Sequence, residues 1–160
     1  MDGTKIKRIE REDVPRLHGA LQQLSTDLDD SHSASAKYLL VHGFSNPPAF
    51  VALLATKKSE TLGALMASPL FSTTRGGAGL YVSDLWVAER ARGEGLGKRL
   101  LAATLEYVPE SWTVTFIKLA VYHDNPDAGR FYKRLGFEPR DGETVFDLRG
   151  SALDNLRDHL

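Results

Sequence analysis

Two hydrophobic rhythms divide the chain. Through EDVPRLHGALQQLSTDL, Val14, Leu17, Leu21, Leu24 and Leu28 recur every three or four residues. That is one face of a helix, and Pro15 falls in the first turn, where proline is tolerated. Before it, Ile6 and Ile9 among the charges of TKIKRIERED predict a short strand. The acidic, serine-rich DLDDSHSAS reads as a loop, AKYLLVHGFS as a second short helix stopped near Gly43, and NPP as a turn. Continuous apolar runs follow at Ala49–Lys57 and Thr61–Phe71, parted by a polar KSE, which predicts a hairpin. STTRGGAG reads as a glycine-rich turn and Leu80–Glu89 as a third strong strand.

The helical rhythm then returns in GKRLLAATLEYV, with Leu100, Leu101, Thr104, Leu105 and Val108 on one side and Pro109 at the end. Trp112–Tyr122 predicts another strand. A helix from Asn125–Pro126 to Gly136, a last strand in ETVFDLRG and a short helix in SALDNLRDHL complete the chain. The order β-α-α-β-β-β-α-β-α-β-α contains a strand–helix–strand crossover. A crossover of this kind makes the third and fourth strong strands parallel neighbours in a mixed sheet. The fold class is therefore α/β (α+β), in one domain spanning 1–160.

Composition narrows the chemistry. A length of 160 residues suits one compact domain with a real core. A formal net charge of −1 disfavours a nucleic-acid binder led by phosphate contacts. The absence of cysteine excludes disulfides, thiolate nucleophiles, cysteine-zinc sites and iron–sulfur clusters. The five histidines show no metal spacing, so no metal site is assigned. No apolar run approaches the roughly 20 residues that span a bilayer, and the N-terminus has no secretory h-region. The expectation is a soluble, cytoplasmic protein without a membrane partner.

The informative stretch is RARGEGLGKRLL, Arg90 to Leu101, which follows a strand and opens a helix. Free N–H groups and the positive dipole end make such a place an anion site, and glycine lets the anion approach closely. A P-loop needs four residues between its glycines. Only three separate Gly93 from Gly97, and Arg99 stands where a hydroxyl is required. The dinucleotide pattern G-x-G-x-x-G ends on Lys98 or on Leu100, so it fails too. The pattern R/Q-x-x-G-x-G/A fits as Arg92-Gly93-Glu94-Gly95-Leu96-Gly97.

SDLWVAERARGEGLGKRLL, together with NPDAGRFYKRLGFEP one strand later, resembles the GNAT family of N-acetyltransferases. Within it the chain is most like the spermidine/spermine (diamine) N-acetyltransferases and their bacterial relatives. The resemblance implies a mixed central sheet of six to seven strands flanked by helices, with splayed parallel strands holding acetyl-CoA. It implies acetyl transfer to a primary amine of a small molecule, a polyamine, diamine or amino-acid-like amine, by direct attack in a ternary complex. A homodimer is implied in the same way. The alternatives are a protein amine or aminoglycoside acceptor, or an acyl-CoA-binding sensor without turnover.

Residue by residue, the resemblance implies that Gly93, Glu94, Gly95, Leu96, Gly97 and Lys98 cradle the pyrophosphate with their N–H groups. Arg92 and Lys98 would add charge. The backbones of Leu85, Trp86 and Val87 would pair with the pantetheine arm, which requires β-strand splaying or a bulge. The Leu85 N–H would face the developing oxyanion. Asn125 would bond the pantetheine or cap its helix, and Lys133 would reach the cofactor or solvent. Tyr132 matches the family's general acid. A phenol of ordinary pKa about 10 donates to a thiolate of about 8.5 uphill by roughly 2 kcal/mol. The base stays open. The polyamine branch has Glu-Asp where this chain has Ser83-Asp84, and Ser83 is no carboxylate base. Asp84 is then a proton relay, an ammonium ligand or a structural group. Asp27, Asp29, Asp30 and Glu143 are candidate acceptor ligands or solvated acids, with Ser83 beside the substrate. Strand alternation leaves the faces of Tyr81 and Trp86 undecided.

Overall fold

The computed structural model describes residues 3–160, which fall into two compact units, one up to Ala120 and the other Val121–Leu160. In the first unit, β1 (Lys5–Arg8), β2 (Val51–Lys57), β3 (Glu60–Ser72), β4 (Gly77–Val87) and β5 (Val114–Leu119) form one sheet in that spatial order. The first three pairings are antiparallel and β4–β5 is parallel, as the crossover requires. Helices α1 (Val14–Asp27), α2 (Ala36–Gly43) and α3 (Leu96–Thr104) complete the unit.

The cross-strand pairs sort the core into two faces. Ala52, Leu54, Ala64, Trp86 and Ala88 pack with Val14, Leu17, Ala20 and Leu21 of α1 and Leu39 of α2. Leu53 and Leu65, opposite each other and fully buried, lie on the other face. A Cβ on Gly63, of that same alternate set on β3, would meet Leu100 Cδ1 at 2.9 Å, which places α3 over this face. β2 and β3 are buried on both faces, which explains their unbroken apolar runs. α3 stops four residues before the expected Val108. Pro109 disfavours helical backbone at Val108. Leu105, Glu106 and Tyr107 accordingly bond back three residues instead of four, to Ala102, Ala103 and Thr104.

The glycine-rich turn is shorter than its composition suggests. The hairpin turn occupies residues 73–76, and Gly77 and Gly79 belong to β4. Gly79 is needed for space: a Cβ there would sit 2.5–2.7 Å from three atoms of the Phe116 ring. The ring lies across β4, with Arg75 stacked on it at 5.1 Å.

In the second unit, α4 (Pro126–Arg134) is capped by Asn125, whose side chain accepts from the Ala128 N–H at 3.3 Å. α5 (Ser151–Arg157) follows a glycine at φ +61°. Among the described residues the sheet has five strands, not six or seven, and ETVFDLRG is not a strand. Its alternation lacks the ladder that stabilises extended backbone, and Val145 and Phe146 are 88% and 90% exposed. No helix among the described residues is long and apolar enough to cross a membrane.

Gly79→Ala should lower the unfolding free energy by about 1–3 kcal/mol, because the Phe116 ring must leave β4. A urea midpoint equal to wild type would show that the ring moves freely.

Candidate active site

One extra residue in β4 organises the site. Ala67 of β3 pairs with Val82, but the next residue back, Met66, pairs with Asp84. Ser83 is therefore a β-bulge. Directly opposed residues share a face, so Val82 goes with Ala67 and Leu65 on the α3 side. Asp84 goes with Met66, Ala64 and Trp86 on the α1 side. Without the bulge, Val82 and Asp84 would point the same way. The same register puts Tyr81, opposite Ser68, on the α1 side with Asp84 and Trp86. The question that alternation left open is thus decided by the bulge.

The ladder to β5 ends at the same place, with Val82 opposite Leu119. From Ser83 through Val87 the β5-facing edge of β4 has no strand partner among the described residues. Leu85, Trp86 and Val87 lie on this released edge. It runs through a short 3-10 turn, Glu89–Ala91, into the glycine loop.

In that loop Gly93 has φ +79° and Gly95 φ +77°, values that non-glycine residues rarely adopt. No atom outside the immediate chain neighbours lies within 4 Å of where either Cβ would be. The glycines thus serve the curl and leave open space above it. Gly95 caps α3, and its carbonyl accepts from the Arg99 N–H. The N–H groups of Leu96, Gly97 and Lys98 belong to the first turn, which lacks intrahelical partners. Leu96 is buried and anchors the loop from below, while Gly93 and Glu94 are exposed. The Lys98 ammonium has no ion-pair partner among the described residues. The open curl, the first-turn N–H groups without intrahelical partners and an uncommitted cation fit a pyrophosphate.

The carboxylates differ in surroundings. Asp27, at the end of α1, is bonded to Trp86, Arg92 and Gln23. Asp29 has φ +52° in the exposed loop, and the Asp30 carboxylate accepts from the Ser31 N–H. Burial pushes the Asp84 carboxyl above its ordinary range, although a hydrogen bond from Ser83 and the charge of His32 pull the other way.

His32 was invisible to sequence reasoning. Its ring lies 5.0 Å from that of His18, and its Nε2 lies 2.6 Å from the Ala34 carbonyl. A carbonyl only accepts, so Nε2 is the donor in this contact. No spacing motif links residues 18, 32 and 84, so only tertiary placement reveals the cluster.

In the second unit the Tyr132 ring meets Phe131 and Phe137 edge-on at 5.0 and 5.4 Å. Burial pushes its phenol up to about 12. The hydroxyl stays protonated through neutral pH, and the uphill gap to a thiolate is wider than an unperturbed phenol's. Lys133 is exposed on α4, and Glu143 lies in the irregular segment before α5. Among the described residues no group of three His, Asp or Glu is arranged to hold a metal ion.

Comparison with known families gives a match to the acetyltransferase (GNAT) family model over residues 14–137. The chain belongs to the GNAT family. It is an acyltransferase, and acetyl-CoA is the family's co-substrate. The spermine/spermidine N(1)-acetyltransferase of Bacillus subtilis is 32% identical over a match that covers 37% of this GNAT chain and 39% of that protein. The chain is also 26% identical to the mouse thialysine N-epsilon-acetyltransferase over 98% of both chains. The fold is that of an integron cassette protein from V. cholerae, with TM-score 0.77, 23% identity, and 98% and 99% of the two chains covered. It is likewise that of an aminoglycoside acetyltransferase from an uncultured soil metagenomic sample, solved with sisomicin. That match has TM-score 0.75, 18% identity, and 92% and 98% coverage. At these identities the solved structures speak for the fold alone.

The raised pKa of Asp84 has a measurable cost. A carboxyl whose folded pKa lies above its unfolded value is destabilising at pH above the folded pKa. The cost vanishes below the unfolded pKa, where both states are protonated. Asp84→Asn in this acetyltransferase should therefore raise Tm by a few degrees at pH 7. The gain should shrink as pH falls through the carboxylate range. A Tm gain independent of pH, or a loss at pH 7, would show that burial of the charge is not its source.

Proposed function

We propose that the protein transfers acetyl from acetyl-CoA to a primary aliphatic amine of a small molecule, a polyamine, diamine or amino-acid-like amine. The observation that carries this reading is the released edge of β4, Ser83–Val87, running into the open loop at Gly93–Lys98. Leu85, Trp86 and Val87 would offer backbone groups to the pantetheine arm, and Gly93 to Lys98 would offer N–H groups and charge to the pyrophosphate. Arg92 stands at the start of that cradle. Asn125 and Lys133 are assigned to the cofactor by the resemblance to the family. A cytoplasmic homodimer is part of the same proposal, and the dimer rests on the resemblance to the polyamine branch.

An aliphatic ammonium, with a pKa near that of lysine at about 10.4, must lose a proton before its nitrogen can attack. Asp84, aimed by the bulge to the α1 face beside Ser83 and His32, is assigned to receive that proton directly or through water. The nitrogen then bonds the thioester carbonyl carbon, with the Leu85 N–H assigned to the oxygen that gains charge. The carbon–sulfur bond breaks, and the departing thiolate takes a proton from the Tyr132 hydroxyl. Asp29, Asp30 and Glu143 are assigned to a second positive group of the acceptor. Asp27 differs, since both of its carboxylate oxygens already accept bonds. The full-length similarity to an enzyme named for thialysine supports an amino-acid-like amine, and the partial one supports a polyamine.

Release of CoA thiol from acetyl-CoA, followed over a panel of diamines, polyamines and lysine-like amines, tests the reading. No release with any amine, despite CoA binding, overturns it. Tyr132→Phe should lower kcat by about 10²–10⁴ with acetyl-CoA affinity unchanged. Because the phenol titrates near 12, an alkaline fall in rate below pH 10 should persist in that variant. Equal kcat in mutant and wild type would remove Tyr132 from its role.

A further inference from the structure

Asp27 is the residue on which α1, β4 and the cofactor loop meet. Its Oδ2 accepts from the Trp86 Nε1–H at 3.2 Å and from Arg92 Nη2 at 2.9 Å. Its Oδ1 accepts from Gln23 Nε2 at 2.8 Å, one helical turn back. Arg92 is held a second time, its Nε donating to the Val87 carbonyl at 3.0 Å. The guanidinium is thus fixed along one edge, by the last residue of β4 and by the last residue of α1. Nη1 has no partner among the described residues and is left for an incoming anion. Trp86 is 9% exposed, so its indole N–H needs an acceptor inside the protein, and the same carboxylate supplies it.

We propose that Asp27 is a positioning residue of the cofactor loop: it holds the Arg92 guanidinium in one orientation, so that a pyrophosphate meets an ordered cation. The inference rests on the reading of Arg92–Lys98 as the pyrophosphate cradle. A free arginine side chain at this half-exposed position would have to be ordered at the moment of binding, and Asp27 and the Val87 carbonyl do that in advance. The carboxylate also opposes an approaching anion by its charge. Two bonds on one guanidinium edge, with the other edge uncommitted, make ordering the larger effect. Because Asp27 closes α1, the same contact fixes where the loop carrying His32 begins.

The test is a double-mutant cycle on CoA affinity, measured by titration calorimetry with wild type, Asp27→Asn, Arg92→Gln and the double variant. Asp27→Asn should weaken CoA about three- to tenfold, the scale of a partly exposed charged hydrogen bond. In the Arg92→Gln background it should cost nothing further, since a residue acting through Arg92 has nothing left to position. Affinity for pantetheine, which lacks the pyrophosphate, should be the same in wild type and Asp27→Asn. Unchanged or tighter CoA binding in Asp27→Asn overturns the inference, and so does an equal loss in both backgrounds. A wild-type protein that fails to bind CoA, or binds it as well with Arg92→Gln, overturns the cradle reading itself. If Asp27→Asn does not fold, the same cycle with Asp27→Ser, which also removes the carboxylate, gives the same decision.

Discussion

The arrangement of the site depends on a constraint of sheet geometry. Side chains alternate strictly along a strand, so a strand whose side chains must change from one core to the other part-way along needs a change of register. Ser83 supplies it. Before the bulge, Leu80 and Val82 fill the core under α3. After it, Asp84 and Trp86 turn to the α1 side, where His32, His18 and Asp27 are found. The bulge and the end of the β5 ladder fall together at Val82, so the strand is released from its parallel neighbour where its side chains change face. A bulge sharpens local twist and gives up pairing. Here the lost ladder leaves residues 83–87 without a strand partner on the β5 side among the described residues, and the Val87 carbonyl accepts from Arg92 instead.

The end of β4 leads through a short 3-10 turn into the glycine loop, which is anchored at both ends. Leu96, buried under the first turn of α3, anchors one end of the loop, and Arg92 the other. Each polar contact is modest by itself, because Arg92 and Asp27 are partly exposed and water screens them. Their value lies in geometry. One carboxylate sets three donors from α1, β4 and the loop, and the shared acceptor makes their positions interdependent. The charged centre is treated in the opposite way. Asp84 lies where burial raises its pKa, which costs stability at neutral pH.

The legible parts of the sequence were those whose physics is local. The runs at Ala49–Lys57 and Thr61–Phe71 became β2 and β3 within two residues, because strands buried on both faces must be apolar throughout. Val14 to Leu24 gave α1 because one helical stripe faces one core. STTRGGAG misled because glycine has two uses. Composition reads it as flexibility, whereas Gly79 is in a strand and gives room to a ring 37 residues away. ETVFDLRG misled for a complementary reason. Alternation states that a strand is possible, and a partner decides whether it forms. Asp27 read as one acid of a solvated loop, yet its partners Trp86 and Arg92 lie 59 and 65 residues on.

The sequence by itself determined most of the element types, the parallel crossover from β4 to β5, and the glycine loop that opens α3 with its two left-handed glycines. These follow from periodicity, from chain handedness and from the φ values that only glycine takes easily. The family blocks around Arg92 and Tyr132 are likewise contiguous strings. The tertiary structure alone decided the faces of Tyr81, Asp84 and Trp86, the joining of His32 to Asp84, and the commitment of Asp27 to Arg92. Those outcomes turn on the register between β3 and β4. A one-residue offset in pairing leaves no mark in composition or spacing, yet it reverses every side chain beyond it.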